Sequence, residues 1–144
     1  MNKSNKVLLL RTPEENLPKP INQDDDYEAW ARAVRSLNDA FRISFTSTEL
    51  YCSPGVIKLD HRDQSIILDR VRRYRGFAED NDPDMTHKYG FIEYEDLQLV
   101  WEIIYLDNDG NHESTDPLSL NLTRRYMMVM LKNEWWDNLP QSDS

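Results

Sequence analysis

The chain has a single cysteine, Cys52, and only four glycines in 144 residues. One cysteine cannot build an internal disulfide framework or a zinc site based on paired cysteines. The glycines, at positions 55, 76, 90 and 110, never cluster, so there is no Gly-rich loop to cradle a phosphate and nucleotide-dependent chemistry is not expected. No apolar run approaches the ~18 residues of a membrane span, and the longest near the N-terminus, Val7 to Leu10, is too short for a signal-peptide core. Basic residues are in deficit, 17 against 26 acidic ones, for a formal net charge of −9. Direct nucleic-acid binding needs a basic footprint and is not expected either. These shortages predict a cytoplasmic protein with no cofactor and no membrane partner.

What is present suits one folded domain. Hydrophobic residues make up 39% and aromatics 10%, enough for a core. Residues 1–26 hold Pro13, Pro18 and Pro20 and the acidic run Asp24-Asp25-Asp26, and read as a tail with one apolar segment, Val7 to Leu10. The domain is expected over 27–139, with 140–144 as a polar end. Trp30, Val34, Leu37 and Phe41 recur at helical spacing and predict an amphipathic helix over 27–42. Residues 43–52 are rich in β-branched and aromatic side chains and predict a strand, closed by a turn at Ser53-Pro54-Gly55. Val56 to Leu59 would form a short second strand. Asp60 or Asp63 then caps a helix over 62–75, with Ile66, Ile67, Val71 and Tyr74 on one stripe and five arginines opposite.

After a polar loop, alternation predicts a hairpin turning at Glu95-Asp96. Ile92, Tyr94, Leu97, Leu99, Trp101, Ile103 and Tyr105 share one face, and Glu93, Gln98 and Glu102 the other. A second polar loop runs from Asp107 to Pro117. The continuous apolar run Tyr126 to Leu131 predicts a final, mostly buried helix. This order predicts an α+β fold: a mostly antiparallel sheet with helices on one face, in a single domain.

Four segments resemble the ordered motifs of a small bacterial domain family of unknown function, frequent on plasmids and other mobile DNA. They are Val34 to Arg42; Phe77-Ala78-Glu79-Asp80-Asn81-Asp82-Pro83 with His87 and Gly90; the strand Trp101 to Asp107; and Asp116-Pro117 with Thr123 to Leu131. The resemblance implies an architecture and a bacterial setting but no activity. Around the histidine that family reads Gly-Glu-His-Asp-Phe-Gly, where this chain has Met85-Thr86-His87-Lys88-Tyr89-Gly90.

Two functional readings follow. Asp80, Asp82 and His87 combine oxygen and nitrogen donors and suggest a metal-assisted hydrolase. The Asp-x-Asp-x-Asp spacing opens like a calcium loop, yet its sixth position is Met85 and its twelfth Phe91 rather than Gly and Glu. The favoured expectation there is a loop whose Asn and Asp side chains bond their own backbone, with no metal and no catalytic residue. The second reading rests on charge. Residues 78–116 carry twelve acidic side chains against Lys88, a net of −11 and more than the whole chain's −9. Glu79, Asp80, Asp82, Asp84, Glu93, Glu95, Asp96, Glu102, Asp107 and Asp109 are the candidate binding residues. On one strand face Glu93 and Glu95 would lie about 6.8 Å apart, near the phosphate spacing of a DNA strand. The expected partner is a basic protein or nucleoprotein complex, engaged by a non-enzymatic module.

Overall fold

The computed structural model describes residues 23–138. The first helix, α1, runs Gln23–Ser44, four residues earlier than its apolar stripe predicts. The acidic residues Asp25 and Asp26 therefore sit in a first turn, where carboxylates suit the positive helix end, rather than in a tail. Val7 to Leu10 and 140–144 lie outside the described residues.

The strand expected over 43–52 shrinks to β1, Leu50–Cys52. Phe45 turns into the core instead, and Ser47–Glu49 makes one 3-10 turn, closed by the Thr46–Glu49 capping box. The expected Ser53-Pro54-Gly55 turn and Val56–Leu59 strand are replaced by a short helix, α2, Pro54–Ile57, with Pro at its first position and Ser53 accepting from the Val56 N–H. Helix α3, His61–Arg72, is capped by Asp60, whose carboxylate accepts from the Asp63 N–H at 2.8 Å.

The hairpin has the register that alternation predicts. Strand β2, Tyr89–Tyr94, pairs antiparallel with β3, Leu97–Leu106, and Tyr94 faces Leu97 across the two-residue turn. Glu95 adopts φ 55°, so it belongs to the turn and not to a strand face shared with Glu93. Gly90 lies opposite Trp101, and a Cβ there would meet Trp101 Nε1 at 2.6 Å. Glycine is what lets the indole reach the sheet.

The final element differs in kind. Tyr126 to Leu131 belongs to a strand, β4, Arg124–Leu131, followed by helix α4, Lys132–Asn138. The sheet order is β1-β4-β3-β2, with only the β1–β4 pair parallel, so β4 is central. Met127 and Val129 are buried on one face and Met130 on the other. A strand covered on both sides shows a continuous apolar run, which periodicity cannot separate from a buried helix.

The result is an α+β domain with a mostly antiparallel sheet. Residues of α3 (Ile67, Val71) join Phe45, Trp101, Ile103, Met127 and Val129 in the core on one sheet face. On the other, Trp135 of α4 packs against Tyr89 and Phe91. No helix among the described residues is long and apolar enough to cross a membrane.

Glu134 fastens α4 to the sheet. Its carboxylate accepts from Ser53 Oγ, from the Leu131 N–H at 2.8 Å and from the Gly55 N–H at 2.9 Å. Partial burial pushes its pKa up, but these donors and the Lys58 charge outweigh it and hold it below the ordinary 4.5. A depressed folded-state pKa gives stability that is present above the unfolded value and lost as pH falls through the folded one. Urea melts should therefore show stability falling below about pH 4.5 in the parent. Glu134→Gln should be less stable at neutral pH and show a shallower acid decline. An unchanged acid limb would remove Glu134 from this role.

Candidate functional site

The resembling motifs meet at one end of the sheet, where α1 crosses the loop 76–88. Asn38 sits on the buried stripe of α1, one turn after Val34. Its amide donates to the Thr86 carbonyl and to Tyr105 Oη, both at 2.9 Å, and its oxygen accepts from Arg125 Nε at 2.7 Å. Burial raises the Tyr105 pKa and lowers that of Arg125. One residue on, Asp39 accepts from Arg42 Nη1 and faces His87 Nδ1, each at 2.8 Å. The His87 ring stacks flat on Phe77, centroids 3.6 Å apart.

The loop itself is held by its own polar side chains. Asn81 Oδ1 accepts from the Ala78 N–H and its amide donates to the Gly76 carbonyl. Asp82, buried, accepts from the His87 N–H at 3.1 Å, and its other oxygen lies 3.6 Å from His87 Nε2. Met85 and His87 both take positive φ, 62° and 58°. That is a costly conformation for such side chains and shows how firmly these contacts fix the loop.

The ten expected binding residues separate into three groups. Asp82 and Glu102 are used internally, Glu102 by Lys88 at 3.0 Å and by the Trp135 N–H at 3.1 Å. Glu93, Glu95 and Asp96 are exposed at the hairpin tip, beside α3, where Arg70 donates to the Glu93 carbonyl. Glu79, Asp80, Asp84 and Asp109 are exposed, and Asp107 half-buried, in the two loops at the opposite end of β3. The second loop leaves β3 nine residue steps from the tip, about 30 Å, and the first joins where Lys88 faces Ile103, six steps or about 20 Å from it. A segment continuous in sequence is thus two acidic regions in space.

The end carrying the loops gains charge that the sequence does not place there. Tyr27 Oη donates to the Asp84 carbonyl, which brings the first turns of α1, with exposed Asp25, Asp26 and Glu28, against it. After burial, Asp84 and Asp82 raise the pKa of Tyr27 and Tyr89. In the second loop the Asp107 carboxyl is held below its ordinary value, first by a side-chain hydrogen bond with Asp109 and then by the backbone of His112.

The hydrolase triple is only partly assembled. Asp82 and His87 meet, but no hydrogen bond or ion pair joins Asp80 to either among the described residues, and the second carboxylate on His87 comes from Asp39. Asp107, Asp109 and His112 bring one ligand atom each within 4.8 Å of one another, on an open turn around Gly110.

Fold and site together define a small acidic α+β domain, with its motif residues knotted around a histidine and its exposed carboxylates in two regions, at the hairpin tip and at the loop end. The chain belongs to a family described as a protein of unknown function (DUF3768), whose model matches residues 52–134. No curated protein and no solved structure matches it.

Proposed function

We propose that this protein is a non-enzymatic interaction module, and that its acidic end engages the basic, nucleic-acid-binding surface of a partner protein or nucleoprotein complex. The supporting observation is the gathering of exposed Asp25, Asp26, Glu28, Glu79, Asp80, Asp84 and Asp109 at one end of the sheet. Such a concentration raises the local potential and steers basic partners. Loops held by internal hydrogen bonds present those charges without a large ordering cost. In the concrete form of this reading the module imitates DNA and inhibits a restriction or CRISPR complex, in keeping with the mobile-DNA setting that the motif resemblance implies.

Affinity capture from a bacterial lysate at low salt, quantified by mass spectrometry, tests the reading with three baits. The parent chain and a Glu93→Gln/Glu95→Gln/Asp96→Asn variant should retain the same basic DNA-binding proteins. An Asp80→Asn/Asp84→Asn/Asp109→Asn variant should lose most of that retention, and raised salt should erode the difference. Equal retention by all three baits would refute the assignment.

The second reading, a metal-assisted hydrolase using Asp80, Asp82 and His87, draws on the 3.6 Å approach of Asp82 to His87 Nε2. It requires stoichiometric zinc, iron or manganese in freshly purified protein, lost on His87→Ala.

A further inference from the structure

Strand β2 is an edge of the sheet, with β3 its one strand neighbour among the described residues. The Lys88 carbonyl accepts from the Ile103 N–H at 2.8 Å, so the backbone groups of Gly90, Ile92 and Tyr94, at alternate positions after it, face β3. Those of Tyr89, Phe91 and Glu93 point the other way. The Glu93 carbonyl agrees with this, since it accepts from Arg70 Nη1 at 3.0 Å. The other outward groups are the N–H of all three residues and the carbonyls of Tyr89 and Phe91. They have no partner among the described residues. Free edges are commonly blunted by proline, by a bulge or by several charges. β2 reads Tyr-Gly-Phe-Ile-Glu-Tyr, with one charge, no proline and an unbroken register against β3.

Two features of this edge define what fits it. Both faces beside it are apolar: Ile92 and Tyr94 belong to the core face, while Tyr89 and Phe91 pack with Trp135 on the other. A strand added there has apolar neighbours on both sides and suits a continuous apolar run rather than an alternating one. The two ends of the edge are acidic, with Asp84 exposed in the loop before β2 and Glu93, Glu95 and Asp96 exposed at the tip. A second copy paired through its own β2 about a two-fold axis would set the tip of each chain against the Asp84 loop of the other, acid on acid.

We propose that Lys6-Val7-Leu8-Leu9-Leu10-Arg11 of the same chain pairs with this edge as a fifth strand, antiparallel to β2, with Arg11 toward Asp84 and Lys6 toward the hairpin tip. The segment has the six residues of β2, a continuous apolar centre and one cation at each end. The tether permits the pairing. Tyr27 Oη bonds the Asp84 carbonyl at 2.9 Å, so α1 begins near the loop that leads into β2. Residues 12–22 separate the segment from Gln23. Extended, they span roughly 36–40 Å, about twice the ~20 Å length of β2. Covalent attachment holds the segment near the edge at a roughly millimolar effective concentration. The inference concerns the chain alone and does not rest on the partner of the acidic end.

Residue-resolved amide hydrogen exchange by NMR on the full chain tests the pairing against two full-length variants. Leu8→Pro/Leu9→Pro removes backbone donors whichever way the segment is registered, and Lys6→Glu/Arg11→Glu reverses the end charges. Both lie outside residues 23–138, and circular dichroism checks that fold. The Phe91 N–H should be protected in the parent and exchange about tenfold faster or more in the proline variant, with a smaller rise in the charge variant. Gly90 and Ile92, bonded to β3, should exchange at the same rate in all three. The parent's protection at Phe91 should persist on about tenfold dilution. Equal Phe91 exchange in the parent and either variant would overturn the inference. So would protection that disappears on dilution, because it would belong to a second copy.

Discussion

Trp101→Ala should lower the unfolding free energy by about 3–5 kcal/mol, the cost of truncating a large aromatic side chain in a packed core. Trp101 is fully buried in β3 and meets Tyr74 edge-on at 5.4 Å and Phe77 at 6.0 Å. The Arg42 guanidinium lies 5.5 Å over its ring, and Gly90 lies opposite it on β2. Its Nε1 has no acceptor, so removing the indole also removes an orphan donor, which offsets a little of the loss. Denaturant melts followed by far-ultraviolet circular dichroism give the number. A near-neutral effect would mean that the β3 register is shifted by one residue, with Glu102 turned into the core.

Asp39→Ala should cost about 3 kcal/mol or more, although this side chain is about one-third exposed. The loss arises at its partners. Arg42, with a side chain 6% exposed, would keep its charge and lose the carboxylate at 2.8 Å, and His87 Nδ1 would lose the same group. Arg42→Met should cost less, because it removes the buried charge along with the pair and leaves Asp39 bonded to His87. Equilibrium urea unfolding of both variants checks the order. A larger loss for Arg42→Met than for Asp39→Ala would show that packing of the Arg42 stem over Trp101, and not the ion pair, holds this corner.

Much of the fold was legible because two periods are clear in the sequence. The 3.6 spacing of Val34, Leu37 and Phe41 and that of Ile67 and Val71 located α1 and α3. The strict alternation from Leu97 to Tyr105 located β3 and its face. The failures share a cause: the decisive context was tertiary. The run Tyr126 to Leu131 carries no period, and only its central place in the sheet makes it a strand. Residues 43–52 have β-forming side chains, but only Leu50–Cys52 find a partner, along β4.

The site was legible in its residue types and not in its arrangement. Twelve carboxylates in one segment announced an acidic region, but the extended β3 carries the hairpin tip far from the loops. Conversely, Tyr27 reaches the Asp84 carbonyl from 57 positions away and carries its exposed neighbours Asp25, Asp26 and Glu28 to that end, across a fold that no local pattern specifies. The knot around His87 had one readable sign. Asn38 and Arg42 fall on the buried stripe of α1 between Val34 and Phe45, where a polar side chain must find partners.

The most direct test of the acidic end as the recognition face is zero-length cross-linking of carboxylates to partner lysines, with peptide mapping by mass spectrometry. A carbodiimide joins only groups already in contact, so it reports which end is covered. The expected cross-links run from Asp80, Asp84, Asp107 and Asp109, with the hairpin tip unmodified by the partner. Cross-links confined to Glu93, Glu95 or Asp96 would contradict the account and move the recognition face to the other end of the sheet.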